Sequence, residues 1–188
     1  MRPTAFLDTL PQLPVKKRRR ISKIRDNLSQ LQSIIGLKLL QHGFKMLGYR
    51  NFHLQKLKFR NNKPHIPNQL HFSISHSEQC ICCVISKTGE VGIDTEKTRP
   101  LSVSLVEKYQ LDQPGSSAIK NWTRKEAVLK VDDTNKLHAI NNIQLNLQDA
   151  LFNNTRYYTK SFFIRPHFYL SVASKQAITK TILKRVYF

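Results

Sequence analysis

Three carboxylates and a lysine are spaced so that they could act on a phosphoryl group. The stretch Val91-Gly92-Ile93-Asp94-Thr95-Glu96 has the alternation of a short strand. Residues two apart on a strand face the same way, so Asp94 and Glu96 share one face and Val91 and Ile93 the other. Like charges side by side on a sheet face cost stability. A hard divalent cation suits the gap, because it takes oxygen ligands and keeps room for substrate phosphates. The blander alternative is a solvated acidic turn with Lys97 and Arg99 as counter-charges. Downstream, Trp122, Glu126 and Lys130 are four apart in Trp122-Thr123-Arg124-Lys125-Glu126-Ala127-Val128-Leu129-Lys130, and on a helix they line one face. Alone, Glu126 and Lys130 are an ordinary helical ion pair. With the Asp-x-Glu strand, Glu126 becomes a third carboxylate or a base, and Lys130 a phosphate-binding or proton-donating group. Ser75-His76 stands at the end of another strand. Together these parts describe magnesium-assisted attack on a phosphoryl group.

The elements that must position these groups follow from periodicity. Thr4–Leu7 reads as a short first strand, and Pro11 and Pro14 as a loop. Ile21, Ile24, Leu28, Leu31, Ile35 and Leu39 have helical spacing, which predicts one long amphipathic helix entered through Lys16-Lys17-Arg18-Arg19-Arg20. Cations at a helix N-terminus oppose the macrodipole, which favours an anion there, although most charge runs are simply solvated. Leu54, Leu57 and Phe59 suggest an irregular strand, and Asn61-Asn62-Lys63-Pro64 a turn. Strands are expected from Leu70 to Ser75, from Cys80 to Ser86 and, after a hairpin turn at Lys87–Gly89, through Val91–Glu96. Helices are expected over Ser102–Tyr109 and Ser117–Lys130. Four strand-like runs close the chain, at 143–147, 157–164, 168–173 and 178–186. Helix then strands occurs twice, so the fold class expected is α+β, with a division into residues 1–95 and 96–188 and a ligand site between the halves.

Composition narrows the partners. The 188 residues are 40% hydrophobic and 23% charged, the balance of a globular chain. Net charge is +19, and residues 1–77 hold 15 Lys or Arg against only Asp8 and Asp26. Such a chain should meet an anionic partner: nucleic acid, an acidic protein, a phosphorylated small molecule or an anionic membrane. No apolar run reaches the roughly 20 residues of a membrane span. The N-terminus lacks the pattern of a signal peptide. Cys80, Cys82 and Cys83 are odd in number and clustered, which argues against a disulfide framework and for a reducing, cytoplasmic compartment. Zinc ligation by these cysteines with His76 lacks a second ligand pair. Ile81-Cys82-Cys83-Val84-Ile85 reads more simply as a buried strand.

Three ordered motifs carry a resemblance. Asn62-Lys63-Pro64 with Phe72-Ser73-Ile74-Ser75-His76-Ser77, then Gly92-Ile93-Asp94-Thr95-Glu96, then Trp122 through Lys130 resemble the motifs of 4′-phosphopantetheinyl transferases of the Sfp (surfactin-synthetase-activating) type. The resemblance implies two similar α/β halves, each a helix on a small antiparallel sheet, related by a pseudo-two-fold axis. It implies transfer of the phosphopantetheine arm from coenzyme A to a serine of an acidic apo carrier protein, leaving adenosine 3′,5′-bisphosphate. By position, Asp94, Glu96 and Glu126 would hold Mg2+. Glu126 would help deprotonate the serine, and Lys130 would steady or protonate the leaving phosphate. Ser75 and His76 would bind the 3′-phosphate, Lys63 and Pro64 would lie along the adenine, and Lys17, Arg20 and Ser33 would add phosphate contacts. The duplicated architecture points to a monomer, and no membrane or nucleic-acid partner is expected. Asn62 and Ser73 depart from the usual Gly and Asn, Thr95 from an aliphatic residue, and Gln32 stands where an Arg often precedes the serine of the first helix.

Two other classes compete. A basic nucleic-acid-binding module would explain Lys16–Arg20 but leave a carboxylate cluster that repels phosphate. A metal-dependent nuclease would use the carboxylates and a lysine but leave Ser75-His76 without a role.

Overall fold

The computed structural model describes residues 10–60, 63–66, 70–132, 137–164 and 166–187, with backbone alone at Arg60, Lys63 and Leu137. The strand expected at Thr4–Leu7 lies outside the described residues. Chain contacts divide the molecule into two compact units, Met1–Leu70 and His71–Phe188. The division expected at 95/96 falls inside a strand, Val91–Lys97.

The first unit holds α1 (Val15–Ser22), α2 (Asn27–Met46), a 3-10 turn at Leu54–Lys56, and a hairpin of β1 (Lys58–Arg60) with β2 (Lys63–His65). One continuous helix was expected from Ile21 onward; the chain instead makes two. Asp26 is extended, and its Oδ2 accepts the Ser29 backbone N–H at 2.7 Å, an N-cap that starts a new helix. The break resets the helical phase. Ile21 stays buried on α1, but Leu28 is 51% exposed, and α2 instead buries Ile34, Leu37, Leu40 and Phe44. Phe44 stacks on Phe52, with ring centroids 4.3 Å apart. Lys63 and Pro64, expected in a turn, belong to β2, where Pro64 faces Phe59 across the hairpin.

The second unit is built on a five-stranded antiparallel sheet in the order β5-β9-β8-β7-β6. Its strands are β5 (Val91–Lys97), β6 (Gln144–Leu145), β7 (Asp149–Phe152), β8 (Thr155–Ile164) and β9 (Phe168–Ser174). A separate hairpin of β3 (His71–Ser77) and β4 (Cys80–Ser86) precedes it. β5 follows β4 in sequence but pairs with β9, so Lys87–Gly89 connects two sheets and closes no ladder. The run expected at 143–147 shrinks to β6. The sequence reading missed β7, although Asn153-Asn154 announces it. Both asparagines take positive φ, 49° and 58°, and form the two-residue loop between β7 and β8. Residues 178–186 form no strand, and Ile182 and Leu183 are 69% and 54% exposed. Alternation alone does not make a strand without an edge to pair with.

Two helices complete this unit: α3 (Val103–Lys108) and α4 (Ala118–Val131), capped by Ser102 and Ser117. α4 lies on one face of the sheet, where Val128, Ile140, Phe152 and Tyr157 make a buried core. On the opposite face Ile93, Leu170 and Val172 pack with Cys82 and Val84 of β4. The fold class is α+β with antiparallel sheets, as expected. No helix among the described residues is long and apolar enough to cross a membrane.

Candidate active site

Asp94 and Glu96 sit on β5 on the face that α4 covers. Gly92, two residues earlier on that face, explains how the helix comes so close. A Cβ at Gly92 would lie 2.1 Å from the Ala127 carbonyl oxygen and 3.0 Å from the Val131 side chain. With only hydrogen there, α4 lies against β5, and its 126–130 edge reaches the carboxylates.

The centre of the arrangement is a three-way contact. Lys130 Nζ donates to Asp94 Oδ1 at 2.8 Å and to Ser75 Oγ at 2.9 Å, and Ser75 Oγ donates to the same Asp94 oxygen at 2.9 Å. Ser75 and Asp94 are 6% exposed each, so the ion pair is buried on the acidic side. Ser77 Oγ, two residues further along β3, donates to Glu96 at 2.9 Å. The offsets match, 75 to 94 and 77 to 96, so β3 runs alongside β5 in the same direction and presents one hydroxyl to each carboxylate. Ser77 was missed in the sequence. Its signal was a second two-residue period in step with that of the acids. Cys82 Sγ donates to the Ser75 carbonyl at 3.6 Å from the neighbouring strand.

Glu126 completes the acidic group. Burial, and then the charge of Asp94, push its carboxyl above the ordinary range. Burial raises Glu96 as well, against the lowering effect of the Ser77 hydrogen bond, and Asp94 adds to the rise. Asp94, Glu96 and Glu126 therefore feel one another. Asp94 Oδ2 is buried and has no hydrogen-bond partner among the described residues. An orphaned carboxylate oxygen on an acid that two further carboxylates feel fits a hard cation, which needs an oxygen donor set and supplies the positive charge. Among the described residues no three His, Cys, Asp or Glu side chains stand as a ready-formed metal-binding group.

The remaining expected site residues lie as follows. His76 is exposed on β3, and its neighbour Ser75 faces Asp94, so alternation sends the two side chains to opposite faces. Thr95 likewise points away from the acids and donates to the Tyr169 carbonyl at 3.0 Å. In the first unit, Lys17 and Arg20 lie on α1, Ser33 is half-buried on α2, and Pro64 lies on β2. The Lys63 side chain and Asn62 lie outside the described residues. Burial, and then the charge of Arg20, hold the Lys17 ammonium below its usual range. Arg20 lines an open groove along α1 with Val15, Lys16, Arg19 and Lys23.

Comparison with known proteins gives the same direction as the motifs. No family model matches the chain. Two curated relatives do. The 4′-phosphopantetheinyl transferase gsp of Aneurinibacillus migulanus is 30% identical over 91 residues, 40% of this chain and 38% of the relative. The 4′-phosphopantetheinyl transferase Sfp of Bacillus subtilis (strain 168) is 24% identical over 136 residues, 60% of this chain and 59% of the relative. The matches thus span less than two thirds of the length of either relative. The chain resembles proteins named as 4′-phosphopantetheinyl transferases.

Proposed function

We propose that the protein transfers the 4′-phosphopantetheine arm of coenzyme A to a serine of an apo carrier protein, releasing adenosine 3′,5′-bisphosphate. The observation that carries the reading is the contact of Lys130, Asp94 and Ser75. Each residue comes from a different one of the three motifs, and the contact lies among carboxylates whose negative charge calls for a cation.

In this reading Asp94, Glu96 and Glu126 would hold Mg2+. When bound, the ion would offset charge on the coenzyme A pyrophosphate. Glu126, directly or through water, would help deprotonate the incoming serine hydroxyl. Lys130 exchanges its contact with Asp94 for the leaving phosphate and steadies or protonates it. Ser75, whose Oγ donates to Asp94 at rest, and His76 are assigned the 3′-phosphate, which they would have to meet from opposite faces of β3. Lys17, Arg20 and Ser33 are assigned further phosphate contacts, and Lys63 and Pro64 the adenine. Two similar halves related by a pseudo-two-fold axis belong to the same proposal, supported by the repeated order of a helix followed by strands. So do an acidic carrier, drawn by the net charge of +19, and a monomer acting in the cytoplasm.

The test is a mass-shift assay with coenzyme A, Mg2+ and a panel of apo acyl and peptidyl carriers. One carrier should gain the phosphopantetheine mass. No gain on any of them would sink the reading.

A second reading, a basic nucleic-acid-binding module, draws on α1, where Lys16, Arg18, Arg19 and Arg20 are all exposed. It would show as steeply salt-dependent binding of duplex DNA or RNA in the presence of a chelator.

A further inference from the structure

An aromatic pair stands in line with the acidic cluster and has no part in it. Across the sheet, Glu96 of β5 is opposite Tyr169 of β9, and Tyr169 is opposite Phe163 of β8. Antiparallel residues directly opposite each other point to the same face. The row Glu96–Tyr169–Phe163 therefore lies on the α4 side, one step beyond the row Asp94–Ser171–Ser161. In that inner row the hydroxyls are used. Ser171 Oγ is 2.8 Å from Thr123 Oγ1 of α4 and 2.8 Å from Ser161 Oγ. In the outer row the sheet presents rings. Phe163 and Tyr169 meet edge to face with centroids 5.3 Å apart, and Phe163 is 53% exposed.

Two further features make this pair a platform. The chain leaving β5 is tied to the β8–β9 turn, because the Thr98 N–H and Oγ1 both donate to the His167 carbonyl, at 2.7 and 3.1 Å. The rings are thus held before any partner arrives, which lowers the ordering cost of binding. Arg99, exposed just past β5, sets a positive charge at the same end of the sheet and acts electrostatically on Glu96. An exposed phenylalanine braced by a tyrosine and edged by arginine is the kind of aromatic anchor on which interface energy concentrates.

We propose that Phe163 and Tyr169 dock an apolar side chain of the acceptor polypeptide, close in its chain to the serine that is modified and flanked by acidic residues that meet Arg99. The proposal rests on the transferase reading. Two strand spacings separate Phe163 from Glu96, about 10 Å. A polypeptide covers that distance in about three extended residues or two turns of helix. A serine delivered beside Glu96 would thus have its near neighbours over the rings. The occupant is a polypeptide: the exposed ring takes an apolar side chain and Arg99 its acidic neighbours.

The experiment measures initial rates with the full chain, Mg2+ and an apo carrier from the panel above. First the carrier is varied at saturating coenzyme A, then the reverse. Phe163→Ala should raise KM for the carrier about tenfold, in line with the loss of one anchor, and Phe163→Asp should raise it further. Phe163→Leu should restore it to within about twofold, and KM for coenzyme A should stay within about twofold throughout. If Phe163→Ala and Phe163→Asp leave the carrier KM unchanged while transfer proceeds, the docking surface is wrong and the transferase reading survives. If Phe163→Asp instead breaks up a dimer detected by light scattering, a second copy covers the rings and the proposal is overturned. If the unaltered protein modifies no carrier in the panel, the transferase reading fails and takes this surface with it.

Discussion

The two long edges of α4 hold buried charge in opposite ways. On the inner edge, Arg124 and Lys125 are 4% and 1% exposed, and among the described residues no carboxylate is bonded to either. Both are satisfied by neutral oxygens. Arg124 donates to the Thr159 hydroxyl and to the Asn146 and Asp149 carbonyls, and Lys125 Nζ donates to the Tyr109 carbonyl at 2.8 Å and the Ile140 carbonyl at 3.4 Å. These bonds fasten the helix to the strands and to the turn after α3. On the outer edge, Glu126 and Lys130 face an acidic group in which one Asp94 oxygen has no partner among the described residues. Where the bonds run to neutral oxygens of the fold the charge holds structure together. Where an acceptor is left over, the site is arranged for something that binds there.

That contrast can be broken at several points. The largest effect is expected at Asp94, the acid bonded by both Lys130 and Ser75. Asp94→Ala should lower carrier modification by at least about 100-fold, the scale of losing a principal electrostatic group. It should also abolish the rise in melting temperature that added Mg2+ gives the unaltered protein, read by calorimetry. Full activity in Asp94→Ala would remove the outer edge from the chemistry.

Next comes Lys125. Burial lowers its ammonium to about 8. An unfolded lysine keeps its proton to near 10.4. Between those values the unfolded chain binds more protons, so the contribution of Lys125 to stability rises with pH across that window. The gain is about 3 kcal/mol at most. In denaturant unfolding from pH 7 to 10 the stability of wild type should rise relative to that of Lys125→Met, whose own curve lacks this slope. Curves that stay parallel would mean that the inner edge does not hold a buried ammonium.

Glu126 runs the other way. Its carboxyl is raised by burial and Asp94, so the folded chain binds more protons just above the ordinary glutamate range, and this group's contribution to stability falls as pH rises through that window. Glu126→Gln removes the repulsion and should raise the melting temperature at pH 7 by about 2–4 °C while lowering transfer. A melting temperature that drops would place Glu126 with the fastening residues. The smallest effect expected is that of Ser117→Ala, which removes the hydroxyl that accepts the Lys120 N–H at the cap of α4 and should cost about 1 kcal/mol with little change in KM for either substrate.

Much of the outer edge was legible in the sequence because its residues are spaced by periods that local structure imposes. Asp94 and Glu96 are two apart on a strand, and Trp122, Glu126 and Lys130 four apart on a helix. The inner edge was not legible. Arg124 and Lys125 look like solvated charges, and only the carbonyls of Asn146, Asp149, Tyr109 and Ile140, distant in sequence, make them interior residues. The same limit hid the break before α2, where one carboxylate cap at Asp26 overrode an apolar rhythm running through it. It also hid the true partner of β5, because sequence adjacency favoured β4 and the register went to β9.

Gly92 gives the motif around Asp94 an unexpected meaning. Its backbone has no positive φ that only glycine could adopt. What is required there is a missing methyl, and that gap works as a spacer gauge between helix and sheet. A single added carbon would tilt α4 away from β5 and part Lys130 from Asp94, while the bonds of Arg124 and Lys125 hold the other edge. A folded yet silent protein could thus arise one substitution from an active one, with every acid and base still present.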